Sequence, residues 1–234
     1  MENSQTFDTR LFDRVGLNRH AIFDLDALPA DLATAVRADC ADAQRYRQLI
    51  LLGHAGRQLW ESVKASDVDT EHPIDDFSVR TVQDWFAKYQ PQSVYEILYP
   101  GTANIGLQRL GQLAGWHHAT PFMVGIDQEW GTWYAYRAVI VADTAFAPTR
   151  AIASEHPCMR CHDKPCIARC PASALDGGQF SLEKCIGYRK QADSRCKETC
   201  LARMSCPVGS KHRYCDEQIR HTYSLSMRAI EQYY

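Results

Sequence analysis

Nine of the ten cysteines in this 234-residue chain lie between Cys158 and Cys215, and only Cys40 stands apart. Thiolates are soft donors, so such a collection can hold metal, form disulfides or carry redox chemistry. Spacing narrows the choice. Cys158-x2-Cys161-x4-Cys166-x3-Cys170 is followed by Pro171, and Cys185-x10-Cys196-x3-Cys200-x5-Cys206 by Pro207. Short gaps bring several sulfurs into one tight loop, and a remote fourth closes the chain around what they hold. Zinc can use C-x2-C with a distant pair, but it accounts for neither Cys-Pro ending. Disulfides suit exported chains, and the opening MENSQTFDTRLFDR is too polar and acidic for an export leader. Two runs of four point to two iron-sulfur centres.

The first run resembles the bacterial ferredoxin pattern C-x2-C-x2-C-x3-C-P, with two extra residues in its middle gap. The stretch ASALDGGQFSLEKCIGY is similar to the ferredoxin connector, in which small residues lead through a hairpin to the next Cys-Ile-Gly. In two-cluster ferredoxins the fourth cysteine of each run ligates the other cluster. That resemblance implies one 4Fe-4S cluster on Cys158, Cys161, Cys166 and Cys206, and a second on Cys185, Cys196, Cys200 and Cys170. Cys215 is left over and is expected to pack or lie near the surface. Cys40 reads as a small buried hydrophobe.

These residues need a scaffold, and hydrophobic spacing supplies one. Residues 1–45 read as weakly helical and irregular, with an Ala-rich helix starting near Pro29. Gln48–Leu52 reads as a strand and GRQLWESVKAS as a helix. FSVRTVQDWFAKYQ, with Val79, Val82, Trp85, Phe86 and Tyr89 on one face, reads as another helix. SVYEILYP is a strand, NIGLQRLGQLAG a helix ending at Gly115, and WYAYRAVIVAD the strongest strand of the chain. The expected architecture is an α/β (α+β) layer domain over residues 1–150, followed by a small ferredoxin-like module over 151–234. His117-His118, placed on a strand, would point to opposite faces and rarely share an ion. Residues 46–76 offer packing and no chemistry.

Composition closes off several classes. A hydrophobic share of 45% and a net charge of -2 describe an ordinary folded chain, with no polycationic footprint for nucleic acid. No apolar run approaches the ~18–20 residues of a membrane helix, so no membrane partner and a cytoplasmic location are expected. Residues 151–234 carry 13 Lys and Arg against 9 Asp and Glu, whereas residues 1–150 carry 13 against 19. A locally basic surround suits a site crowded with thiolates. Dinucleotide, P-loop and zincin signatures are missing.

Taken together, GQLAGWHHATPFMVGIDQEWGTWYAYRAVIVADTAFAP and the cysteine runs resemble the core of the cobalamin-dependent iron-sulfur reductases, namely epoxyqueuosine reductase and the reductive dehalogenases. The points of likeness are Ala114-Gly115-Trp116, Gly131-Thr132-Trp133, Ala142-Asp143 and Cys185-Ile186-Gly187-Tyr188. The resemblance implies a nitroreductase-like α/β domain, a base-off cobalamin held against it, and a nearer cluster feeding electrons to cobalt. It also implies a redox partner protein and a corrinoid ligand. An electron carrier or docking subunit without a cobalamin site is the alternative. The family's Gly-Trp-x-Gly-Lys continuation is replaced by Trp116-His117-His118-Ala119, and YPGTANIG, where the tRNA enzyme's acidic proton donor maps, holds no carboxylate. A tRNA substrate is therefore not expected.

Overall fold

The computed structural model describes residues 5–234. Two compact units are present: one comprises residues up to Gly115 together with Tyr134–Ile152, and the other Trp116–Trp133 with Ala153–Tyr234.

The first unit is a mixed α/β layer. Its strands are β1 (Arg19–Asp24), β2 (Gln48–Ala55), β3 (Tyr95–Tyr99) and β4 (Tyr134–Ala142), in the order β1-β2-β4-β3 with every pairing antiparallel. The helices are α1 (Arg10–Val15), α2 (Ala30–Ala38), α3 (Gln58–Lys64), α4 (Pro73–Tyr89) and α5 (Leu107–Leu113). The Leu49–Leu52 run makes β2 a central strand, buried at each of its positions. Its one long polar side chain, Gln48, is fully bonded: Nε2 donates to Asp24 Oδ1 and the Phe146 carbonyl, and Oε1 accepts from Thr144 and the Phe146 N–H. Helix α4 packs Val82, Trp85 and Phe86 inward, and Trp85 meets Phe7, Phe12 and Phe146 in an aromatic cluster.

The sequence reading of α2 to α5 and β2 to β4 stands within the usual end fraying. Strand β1 was not expected. RHAIFD has little strand signal of its own, and pairing with β2 from Arg19–Gly53 to Asp24–Gln48 makes it a strand.

The second unit is built from short helices and turns. Helices α6 (Pro165–Ala168) and α8 (Leu201–Met204) pack on each other, and α7 (Leu182–Lys190) packs on α9 (Asp216–Tyr233). The expected hairpin after Pro171 is absent among the described residues. Its place is taken by a 3-10 turn at Asp176–Gly178, where Gly177 and Gly178 have φ of 83° and 82°. Consecutive left-handed residues break strand geometry, and Ser181 then starts α7 by accepting the Lys184 N–H. Residues 116–133 join this unit through Arg203, which donates to the Thr132 carbonyl and stacks over Trp133 at 4.5 Å and Tyr214 at 5.3 Å. No helix of the described residues is long and apolar enough to cross a membrane.

Candidate metal centre

The eight cysteines of the two runs divide between two cavities of the second unit, four to each. One cavity is lined by Cys158, Cys161, Cys166 and Cys206, with Phe122, Ile126, Pro165, Pro207 and Val208 among its walls. The other is lined by Cys170, Cys185, Cys196 and Cys200, with Phe122, Leu175, Phe180 and Leu201 among its walls. Cys206 therefore lines the cavity of the first run and Cys170 that of the second, the grouping implied by the ferredoxin likeness.

Local structure explains five of these positions. Cys158 sits in a 3-10 turn whose His156 accepts the Cys158 N–H, and Cys166 lies on α6. Cys185 is carried by α7, and Cys200 is the residue before α8. Cys206 is held by a close backbone approach just beyond it. Gly131 (φ 60°) and Gly209 (φ 63°) bring two loops into contact, and a Cβ on either would meet the backbone of the other loop. The turn carrying Gly131 is fixed by Asp127, whose side chain accepts the N–H groups of Glu129 and Trp130.

The electrostatics of each quartet are those of crowded thiols. Burial, then Cys206, Cys166 and Cys161, push Cys158 up to about 11. Burial and the neighbouring thiols of the same quartet likewise raise Cys166 and Cys206. Burial is also the main cause for Cys185 and Cys196, with Cys200 and Cys170 adding to it in both. Backbone amides oppose this at three sulfurs: Ile167 at Cys166, Val208 at Cys206 and Leu201 at Cys196. An N–H directed at sulfur favours the thiolate.

The donor sets fit 4Fe-4S clusters. Four cysteines line each cavity, no other Cys, His, Asp or Glu of the described residues lines either, and the remaining walls are largely apolar. Among the described residues no three His, Cys, Asp or Glu side chains are grouped to hold a metal ion. Tetrahedral zinc needs its sulfurs at ~2.3 Å from one point, whereas the irons of a cubane each take one thiolate, so the sulfurs stand around a volume. The second cavity has a volume of about 160 Å³. The first has a volume of about 20 Å³.

The other candidates lie elsewhere. Cys215 is the residue before α9 and lines neither cavity. Cys40 bonds the Val36 carbonyl in the first unit and is pushed up to about 11, mainly by burial. His117 and His118 lie outside the named strands, contrary to the strand placement. His117 is buried, and His118 bonds Ser154 at 2.8 Å and lies 5.0 Å from the His156 ring. Burial lowers both histidines from their ordinary value.

No protein-family model matches the chain, and no curated protein matches it. Solved structures do. A selenomethionine-labelled epoxyqueuosine reductase superposes with a TM-score of 0.56 at 13% identity, covering 91% of this chain and 68% of that one. An epoxyqueuosine reductase with a tRNA-Tyr epoxyqueuosine-modified stem loop gives 0.54 at 11%, with the same coverage of 91% and 68%. A reductive dehalogenase, whose structure suggests a mechanism for B12-dependent dehalogenation, gives 0.53 at 14%, covering 94% of this chain and 34% of that one. The chain thus spans about a third of the dehalogenase. At these identities the likeness establishes the fold, which is that of the epoxyqueuosine reductases and reductive dehalogenases. The stem-loop complex belongs to that neighbour, and it runs against excluding nucleic acid from net charge alone.

Proposed function

We propose that the chain is an iron-sulfur redox protein that passes single electrons through two 4Fe-4S clusters to a bound corrinoid. One observation carries the reading: eight cysteines sort four and four into two cavities, with no other Cys, His, Asp or Glu of the described residues in either wall. Cys158, Cys161, Cys166 and Cys206 would hold one cluster, and Cys170, Cys185, Cys196 and Cys200 the other. The clusters supply reversible one-electron transfer when bound. The protein supplies the surroundings. Phe122, Leu175, Phe180 and Leu201 keep water from the sulfurs, and amides at Cys166, Cys196 and Cys206 favour the deprotonated ligands. Clusters of this kind suit a reducing compartment, in keeping with the cytoplasm.

The corrinoid part rests on the fold shared with a B12-dependent dehalogenase and on the sequence likeness around Ala114-Gly115-Trp116 and Gly131-Thr132-Trp133. A second reading, an electron carrier or docking subunit, is favoured by the surface beside the second cavity. Arg195, Lys197 and Arg220 line an open groove of about 490 Å³ that shares Thr199 with that cavity, with Glu198 and Asp216 also in its wall, and residues 151–234 as a whole carry 13 Lys and Arg against 9 Asp and Glu. A locally basic module suits an acidic redox partner and a salt-sensitive complex.

Anaerobic EPR of reconstituted, partly reduced protein with added cobalamin tests the first reading. Cluster signals together with a base-off Co(II) spectrum are expected. Cluster signals with cobalamin unchanged from free solution would transfer the proposal to the electron carrier. The same samples, titrated with a tRNA stem loop at two salt concentrations, test nucleic-acid binding directly.

A further inference from the structure

Arg189 sits at the end of α7 with 7% of its surface exposed, and it lines the cavity of Cys170, Cys185, Cys196 and Cys200. Its Nε donates to the Cys196 carbonyl at 3.0 Å, and Nη2 to the carbonyls of Lys197 and Tyr223 at 3.2 Å each. Nη1 donates to Ser226 at 2.9 Å. The guanidinium also lies 5.6 Å from the Tyr223 ring centre. Every partner is neutral, and no carboxylate pairs with Arg189 among the described residues. A buried, fixed positive charge without an anion is costly unless something negative occupies its surroundings. The cavity beside it is where that charge would lie.

Among the described residues, no buried Lys or Arg lines the cavity of the other quartet. The one Lys or Arg lining the cavity of Cys158, Cys161, Cys166 and Cys206 is Lys164, which is exposed to solvent. Water and salt weaken its field there, whereas a guanidinium inside the protein acts at low dielectric.

We propose that Arg189 is the built-in countercharge of the second cluster and makes it the more easily reduced of the two, so that an electron entering the chain comes to rest there first. This rests on the cluster reading above. The step is the addition of one electron to one cluster, with no bond made or broken. Each added electron increases the negative charge facing Arg189, so the guanidinium stabilises the reduced form more than the oxidised one. Arg189 acts through the field it sets and is a positioning residue for the electron, not a ligand.

The test is an EPR-monitored redox titration of the anaerobically reconstituted full chain, with dithionite as reductant and Cys161→Ser used to assign the first quartet's signal. In the unsubstituted protein the Cys170 quartet should reduce first. Arg189→Gln should lower its one-electron reduction equilibrium at least about tenfold, ~59 mV, and leave the first cluster in place. Arg189→Lys, which keeps the charge, should recover most of the shift, and Lys164→Gln should leave the second cluster unmoved. Two clusters retained with their separation unchanged in Arg189→Gln would overturn the proposal, as would prior reduction of the Cys158 quartet in the unsubstituted protein. That order decides alone if Arg189→Gln does not fold. An unsubstituted chain that assembles no clusters overturns the underlying reading instead.

Discussion

The two cysteine quartets offer the same four donors in different settings. The Cys158 quartet is drawn together from a 3-10 turn, α6 and a loop held by glycine contact, around a cavity of about 20 Å³ lined by one cation, the exposed Lys164. The Cys170 quartet is set on α7 and at the start of α8, around about 160 Å³ with a guanidinium sealed into the wall. Donor type decides which cofactor can be held. Surrounding charge and burial decide where an electron prefers to be.

Phe122 is the residue the two cavities share, so its loss should blur the comparison most. It is buried among Cys166, Leu175 and Ala202, and Phe122→Ala should destabilise the protein by about 3–5 kcal/mol, the usual cost of emptying such a site. Chemical denaturation of the loaded protein checks the magnitude. Both clusters should also bleach faster in air, and loss of only one would assign Phe122 to a single wall.

A narrower break follows from the loop contact. Gly209→Ala places a Cβ against the Trp130 and Gly131 backbone at a left-handed position, displacing the loop that follows Cys206. The Cys158 quartet should lose its cluster while the Cys170 quartet keeps its own. Iron and sulfide content should fall by about half. Equal loss from both quartets would contradict the separation.

Metal-free protein gives a smaller effect, and its sign follows from the thiols. Cys158 titrates near 11 when folded against an ordinary value of 9.0, so between these the folded chain binds more protons than the unfolded one. Stability from this group is complete below pH 9 and is lost as pH rises through about 11. The apo Tm should fall over that window. Iron-loaded protein, whose thiolates are already ionised, should show a flatter dependence. Smallest of all, Cys40→Ser and Cys215→Ser should leave both clusters and their signals intact, because neither residue lines a cavity.

Much of this could be read from residue order. Periodicity placed α4 and β4, because apolar spacing directly reflects which face is buried, and the ferredoxin likeness implied the crossing of Cys170 and Cys206 that the substitutions below test. What escaped depends on distant partners. Strand β1 exists through β2, and the turn at Gly177-Gly178 replaces a hairpin because its backbone is left-handed twice in succession. Residues 116–133 group with the cysteine-rich unit through Arg203 and the Gly131 contact, neither marked by a motif. Arg189 belongs to no motif. A signal was present nonetheless: it follows Cys185 by four residues, which on α7 puts both on one face.

The crossing of the two runs is the central claim, and paired substitutions of their closing cysteines test it most directly. Cys170→Ser and Cys206→Ser would each be reconstituted anaerobically and examined by EPR and Mössbauer spectroscopy, with Cys161→Ser and Cys196→Ser as references. The account predicts that Cys170→Ser matches Cys196→Ser and that Cys206→Ser matches Cys161→Ser. If Cys170→Ser instead reproduces the spectrum of Cys161→Ser, each run holds its own cluster and the account is wrong.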